Sequence, residues 1–388
     1  MRDAIEKHLN RKIIPFWNRM KDKDYGGYYG FVGLDLKVDR KADKGAVKTA
    51  RILYSYATMA RHERDPEHLA HAKIAYDYLI NNLYDHGQAG VFWKSRYDGR
   101  IIDDQKHLYA NCFAIYGLAE YALAARDSRA RDYAMTIFDS IERHAYEPAK
   151  NCYHEAFDRH WKPIENRVLS AYGIVPVYTT NVVLHQIEAY TKLYEACGDP
   201  EVKKSLVRLL NAFYLRIYDR STHRLGILYD ENWNSLVAGT SYGHDIEASW
   251  LVDEAMRVID YRREALERMT LDLARSVLRE GWRDGKMITD RIEGEESGQT
   301  VWWVLAEALV GFMNAYQKTN EKAFYDASHS VWEAIERHIV DHRDQGEWFW
   351  SVDSQGKPID SYGVSENWKA NYHNVRACLE VIKRSDSQ

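Results

Sequence analysis

The sequence predicts an all-α fold, an (α/α)6 barrel of six inner and six outer helices with short β-hairpins at one end, and three observations predict it. A short aromatic segment punctuated by turn residues recurs six times. Each copy runs into a helical stretch that is apolar nearly all round, and the stretches before the copies are amphipathic and rich in charge. The copies are GGYYGFVGLD, AGVFWKSRYDGRII, NCYHEAFDRHWKPI, LGILYDENWNSLV, DGKMITDR and GEWFWSVDSQGKPI. Anchored at Gly27, Gly90, Cys152, Gly226, Gly285 and Gly346, they are spaced 63, 62, 74, 59 and 61 residues apart.

The elements follow in order. Alternation of aromatic and polar residues around Asp-Gly and Gln-Gly turns makes each copy a hairpin or an extended loop. The stretches 46–60, 108–125, 180–196, 244–258, 300–316 and 369–383 come next in each repeat, and a helix apolar on all sides is a buried one. Stretches such as 66–84, 199–218 and 320–340 carry a charged face and belong outside, against water. Open helical solenoids use units of about 33–47 residues. Repeats near 60 residues with an added hairpin favour a closed ring, which needs no polar end caps. With only 7 Pro, 22 Gly and no linker-like tract, the chain is expected to form a single domain over 1–388. The longest spacing, 74 residues, places extra chain around 165–178, as a loop beside the barrel mouth.

Composition narrows the partners. A net charge of −5 argues against nucleic acid or an anionic membrane surface. No apolar run of spanning length and no leader-like start is present, so no membrane partner is expected. Four scattered cysteines without CxxC spacing read as reduced thiols of a cytoplasmic protein. The chain holds 12 Trp, 28 Tyr and 10 Phe, and flat rings of this kind stack on sugars as well as on each other. No P-loop, GxGxxG, HExxH or GxSxG occurs, so nucleotide, zinc-protease and serine-hydrolase chemistry find no support.

The topology brings the six inner-helix starts to one mouth. Gathered there are Arg51; Tyr109 and Asn111; Asn181 and His185; His244, Glu247 and Trp250; Trp302, Trp303 and Glu307; and Trp368, Asn371 and His373. Pairs three or four residues apart share a helical face. Buried Arg, Glu and His are uncommon without partners, so their convergence marks a site. Taken alone, each histidine is more often a hydrogen-bonded structural residue, and Arg51 fits a salt bridge to Glu247 or Glu307 as well as a substrate role. Adjacent Trp302 and Trp303 diverge by about 100°, so one of them faces the cavity. Glu120 and Glu188, deeper in the pattern, read as structural.

Two enzymatic readings follow, with a sugar-binding helical scaffold as the non-enzymatic alternative. A glycosidase would use two carboxylic acids, for which Glu247 and Glu307 are available. Histidines outnumber them as candidate bases, and imidazole suits proton abstraction beside a carbonyl. The open-chain aldehyde of a reducing sugar acidifies its C2 hydrogen, and a cation such as Arg51 would stabilise the enediolate. Bases on opposite faces of C2 would invert the centre.

The stretches TARILYSYA, TTNVVLHQIEAY, SYGHDIEASWL, VWWVLAEAL and NWKANYHN, set in this six-unit pattern, resemble the N-acylglucosamine 2-epimerase superfamily, and within it the cellobiose 2-epimerases. The resemblance covers essentially the whole chain. It implies an (α/α)6 barrel that epimerises C2 of the reducing-end glucose of cellobiose or lactose without a cofactor. It makes His244 and His373 the acid/base pair, His185 an aid at O1 and in ring opening, and Arg51 the enediolate's partner. Glu247 and Glu307 would hold hydroxyls or orient the histidines. Tyr109, Asn111 and Asn181 would bind the reducing sugar, Trp303 and Trp368 would stack on it, and Trp250 would wall the pocket below. N-acylglucosamine epimerisation and aldose–ketose isomerisation are the alternatives within the superfamily. A monomer is expected, with a dimer as the alternative.

Overall fold

The computed structural model describes residues 1–283 and 285–386. Asp284, which opens the fifth repeated segment, and the last two residues of the 1–388 span lie outside the described residues. The inner helices are Ala46–Glu63, Leu108–Ala125, Thr180–Cys197, Tyr242–Val258, Trp302–Thr319 and Tyr372–Ser385. Each packs on the next, and the sixth packs on the first, which closes the barrel. One outer helix lies against each inner one. The outer set is Arg2–His8 continuing to Ile14–Arg19, then Pro66–Tyr78, Ser128–His144, Pro200–Ala212, Glu264–Ser276 and Lys322–Ala334.

Local sequence explains these boundaries. Asp65, Asp127 and Asp199 cap three outer helices by accepting from the backbone N–H two residues on, and Pro66 and Pro200 sit at the first position, where no N–H is needed. Four inner helices end on left-handed residues, Arg64, Arg126, Gly198 and Asn320. One contiguous set of buried apolar side chains runs from Ile5 to Ile382, filling the space between the two rings.

The short strands do more than turn the chain. Where the sequence suggests separate hairpins, the strand feeding an inner helix also pairs antiparallel with the segment of the following repeat. Lys44–Gly45 pairs with Lys94–Ser95, Lys106–His107 with Ala156–Phe157, Tyr178–Thr179 with Leu228–Tyr229, Gly239–Ser241 with Asp290–Ile292, and Gln299–Val301 with Ser351–Asp353. A bridge between Val32 and Ser365 joins the last repeat to the first. This stitching satisfies strand edges that isolated hairpins would expose, and it holds the six helix starts in register around the mouth. Buried lysines reinforce it: Lys44 reaches Asp22 at 2.6 Å, Lys106 reaches Asp85 at 3.1 Å and Lys369 reaches Glu347 at 2.7 Å.

Asp245, beside His244, serves the wall rather than the cavity. Its Oδ1 accepts from the Leu225 N–H at 3.0 Å, and Oδ2 has no hydrogen-bond partner among the described residues. Burial pushes this carboxyl up to about 8 from 3.8. The folded protein therefore holds a proton that the unfolded chain releases, and this group's contribution to stability is lost as pH rises from about 4 to 8. Asp245→Asn keeps the Leu225 contact without the charge. It should melt well above the parent at pH 8 and close to it at pH 4 by scanning calorimetry; an equal difference at both pH values would refute the assignment.

Candidate active site

The three histidines of the inner-helix starts meet at the barrel mouth, each with its Nδ1 already engaged. His373 Nδ1 lies 2.6 Å from Glu307 Oε1, His185 Nδ1 is 2.8 Å from Glu188 Oε2, and His244 Nδ1 is 2.9 Å from Ser241 Oγ. A carboxylate only accepts, so His373 and His185 carry their proton on Nδ1 and keep a lone pair on Nε2. His244 and His373 pack on the same indole, Trp303, at 5.0 and 5.6 Å between ring centroids. Burial lowers all three imidazoles, His244 to about 3, with His185 adding to the shift there. Each is therefore neutral at rest and able to take a proton.

Among the described residues Arg51 has no carboxylate partner, so of its two readings the salt bridge to Glu247 or Glu307 is not made. Its guanidinium donates to Tyr109 Oη at 2.8 Å and to the Trp368 carbonyl, and it lies 4.3 Å from the centre of the Phe113 ring. The Arg51 Nε is buried and has no partner among the described residues. A cation unspent on anions is suited to charge that develops during a reaction.

The carboxylates are instead gathered by Arg376, a residue the sequence reading missed. It donates to Glu247 Oε1 at 2.8 Å, to Glu307 Oε1 at 2.7 Å and to Glu188, while Tyr372 Oη adds a bond to Glu188 at 2.5 Å. Burial pushes Glu188 up, but Arg376 and His185 more than reverse it, to about 2. Glu247 and Glu307 remain raised, because burial, with repulsion from Glu307 at Glu247 and from Glu188 at Glu307, outweighs the same cation. Arg376 follows His373 by one turn, so it shares that residue's inward face. That spacing is the signal by which sequence could have found it.

Other expected residues divide by depth. Asn181 and Trp303 line a cavity of about 320 Å³ together with Ser241, His244, Asp290 and Trp350. The Asn181 Oδ1 is buried without a partner among the described residues and is available to a hydroxyl donor. Trp368 lies beside Tyr109 and Trp93, each 5.7 Å away between ring centroids. Trp302 turns into the core against His373, and Trp303 is the one that faces the cavity. Two placements correct the expectation. Asn111 is fully buried, accepting from the Val91 N–H and donating to the His107 carbonyl at 2.9 Å each, so its amide is spent on the hairpin and not on a sugar. Trp250 sits beneath the carboxylates, where its indole N–H donates to Glu307 Oε2 at 3.0 Å; it steadies the floor rather than walling the pocket. A larger cleft of about 650 Å³, near Asp253, Arg257 and Lys318 at the opposite helix ends, contains none of the histidines.

The extra chain of the third repeat lies over this cavity: residues 168–172 line it, with Tyr172 half exposed at the rim. Its root is fixed at Asn166, which donates to Glu155 at 2.6 Å and meets His107 Nε2 at 2.8 Å. Beneath His244, Gly243 allows Trp303 to approach: a Cβ there would come within 2.5 Å of that indole. Gly243→Ala must displace Trp303, so kcat/KM should fall about 10- to 100-fold, as for other misplacements near a reacting centre. Steady-state kinetics with an unchanged melting curve checks this, and full activity would show that the approach is not needed.

Comparison with known proteins adds to this geometry. A family model described as N-acylglucosamine 2-epimerase matches residues 16–377. The chain is 42% identical to a cellobiose 2-epimerase of Dictyoglomus turgidum, covering 99% of this chain and 98% of that one. It is 36% identical to a cellobiose 2-epimerase of Bacteroides fragilis, covering 98% of each. The structure of cellobiose 2-epimerase from Bacillus thermoamylovorans superposes with a TM-score of 0.96 over 98% of each chain, at 36% identity.

Proposed function

The chain belongs to the N-acylglucosamine 2-epimerase family, and from that premise we propose that it inverts C2 of the reducing-end glucose of β-1,4-linked disaccharides such as cellobiose and lactose. The observation that carries the reading is the placement of His244 and His373 against one indole, each with Nδ1 engaged. After the sugar ring opens, one Nε2 removes the C2 proton, and a cis-enediolate forms with its charge on O1. Arg51, free of carboxylate partners, stabilises that charge, and His185 serves proton transfer at O1. The second imidazole returns a proton to the opposite face. Which histidine acts first depends on whether the glucose or the mannose epimer enters.

NMR of the protein incubated with cellobiose tests the reading. A mannose-type reducing end on an intact disaccharide is the expected product. Free glucose would indicate hydrolysis, a ketose end would indicate isomerisation, and an unchanged spectrum with cellobiose, lactose and N-acetylglucosamine would refute the assignment.

Imidazoles and a guanidinium supply every step, so the reading requires no cofactor. Glu247, Glu307 and His373 place ligand atoms within 4.8 Å of one another, but the Arg376 guanidinium already binds the two glutamates. Exhaustive dialysis against EDTA should leave kcat unchanged; a loss restored by a divalent metal would contradict this.

A further inference from the structure

The histidines differ in what stands behind them. His373 and His185 each rest directly on a buried carboxylate, whereas His244 rests on a hydroxyl. Ser241 is the N-cap residue of the fourth inner helix, a position where serine ordinarily accepts from a helix N–H. Here it makes no such cap, and its Oγ is turned to His244 Nδ1 at 2.9 Å. Across the Gly239–Ser241 and Asp290–Ile292 ladder, Ser241 stands directly opposite Asp290, so the two side chains share a face. Burial raises the Asp290 carboxyl above its ordinary range, and the Ser241 hydroxyl works against that shift. All three residues line the same cavity. The adjacent Arg291 is paired with Glu296 and leaves Asp290 to the serine.

We propose that Asp290 and Ser241 are positioning residues for His244, forming an Asp–Ser–His relay in which a carboxylate from the next repeat orients the imidazole and supports its protonated form. The donor inventory sets the direction of each bond. An ionised Asp290 only accepts, so the Ser241 O–H donates to it; the Ser241 lone pairs then accept the His244 Nδ1–H. The lone pair is left on Nε2, facing the sugar. When Nε2 takes the C2 proton, the imidazolium is stabilised through the serine, as His373 is by Glu307 directly. Both bases thereby present the same tautomer from different scaffolds. The titratable groups around this relay are His185 and Glu307 on the His244 side, and Asp245 and Tyr172 on the Asp290 side.

The inference rests on the proton-transfer role given to His244 above, and the test separates the two. Kinetics on cellobiose, with the pH dependence of kcat/KM, should be measured for the parent, Asp290→Asn, Asp290→Glu, Ser241→Ala and Ser241→Thr. For Asp290→Asn and Ser241→Ala, kcat should fall about 10- to 100-fold, the usual loss when the group orienting a working imidazole is removed. KM should stay within about twofold, because substrate binding is not the step affected. The acid limb should move to lower pH, since the imidazolium has lost its support. Ser241→Thr and Asp290→Glu should recover part of the rate and return the limb. If either truncation unfolds the protein, the side-chain 15N spectrum of Ser241→Thr and Asp290→Glu decides: His244 should remain the Nδ1–H tautomer. An Asp290→Asn variant with parental kcat and pH limb, or one altered only in KM, overturns the relay and leaves the epimerase reading standing. A parent without C2 exchange, or His244→Ala with full epimerisation, overturns both.

Discussion

Arg376→Met should cost about 3–5 kcal/mol of stability, the loss expected when one partner of a buried ionic group is removed. The reason lies in what remains: Glu188, Glu247 and Glu307 stay buried, none more than 4% exposed, and all lose the cation they share. Methionine fills the volume but answers none of the carboxylates. Chemical denaturation of the purified variant measures the cost. Arg376→Lys should recover little, because an ammonium lacks the planar fork that reaches three acceptors at once. The activity loss should accompany the structural one, since Glu188 and Glu307 are the groups that orient His185 and His373. A variant of parental stability would show that the three carboxyls are protonated in the folded protein and that the floor is not an ionic one.

The second large effect is chemical. His244→Ala or His373→Ala should lower kcat by about 10²- to 10⁴-fold, the range for loss of a positioned general acid or base. Stability should change less for His244, which borders the cavity, than for His373, whose loss leaves the buried Glu307 without its imidazole partner. Steady-state epimerisation of cellobiose measures the loss. Because both residues serve one reaction, the double variant should be scarcely slower than either single one. Additive losses would instead describe two independent contributions to binding.

How much of this was legible depended on whether the information was periodic. The barrel was, because six copies of one unit leave a repeat that no single helix could show, and inner and outer helices differ in which faces are apolar. The histidines and Arg51 were legible because topology alone delivers every inner-helix start to one mouth. Depth around that mouth was not. Asn111 has the right position for a sugar ligand, yet the backbone at Val91 and His107 consumes its amide. Trp250 lies on the stripe of His244 and Glu247 but two turns down from the mouth, where it meets Glu307. Arg376 follows His373 by one turn on a helix read as buried, yet the carboxylates from three other inner helices that converge on it leave no mark in its own stretch of sequence. The pairing of Ser241 with Asp290 is set by strand register between successive repeats, which single-sequence patterning does not encode. The long third spacing did point to chain beside the site, and residues 168–172 lie there.

The proposed mechanism takes a proton from C2 to one imidazole and returns one from another. It is tested most directly by running the reaction on cellobiose in deuterated water and reading C2 of the product by NMR. The expected product is a mannose-ended disaccharide carrying deuterium at C2, and its formation should be lost in both His244→Ala and His373→Ala. A mannose-ended product that keeps its original hydrogen at C2 would contradict it, since the inversion would then proceed without the enediolate for which His244, His373 and Arg51 are arranged.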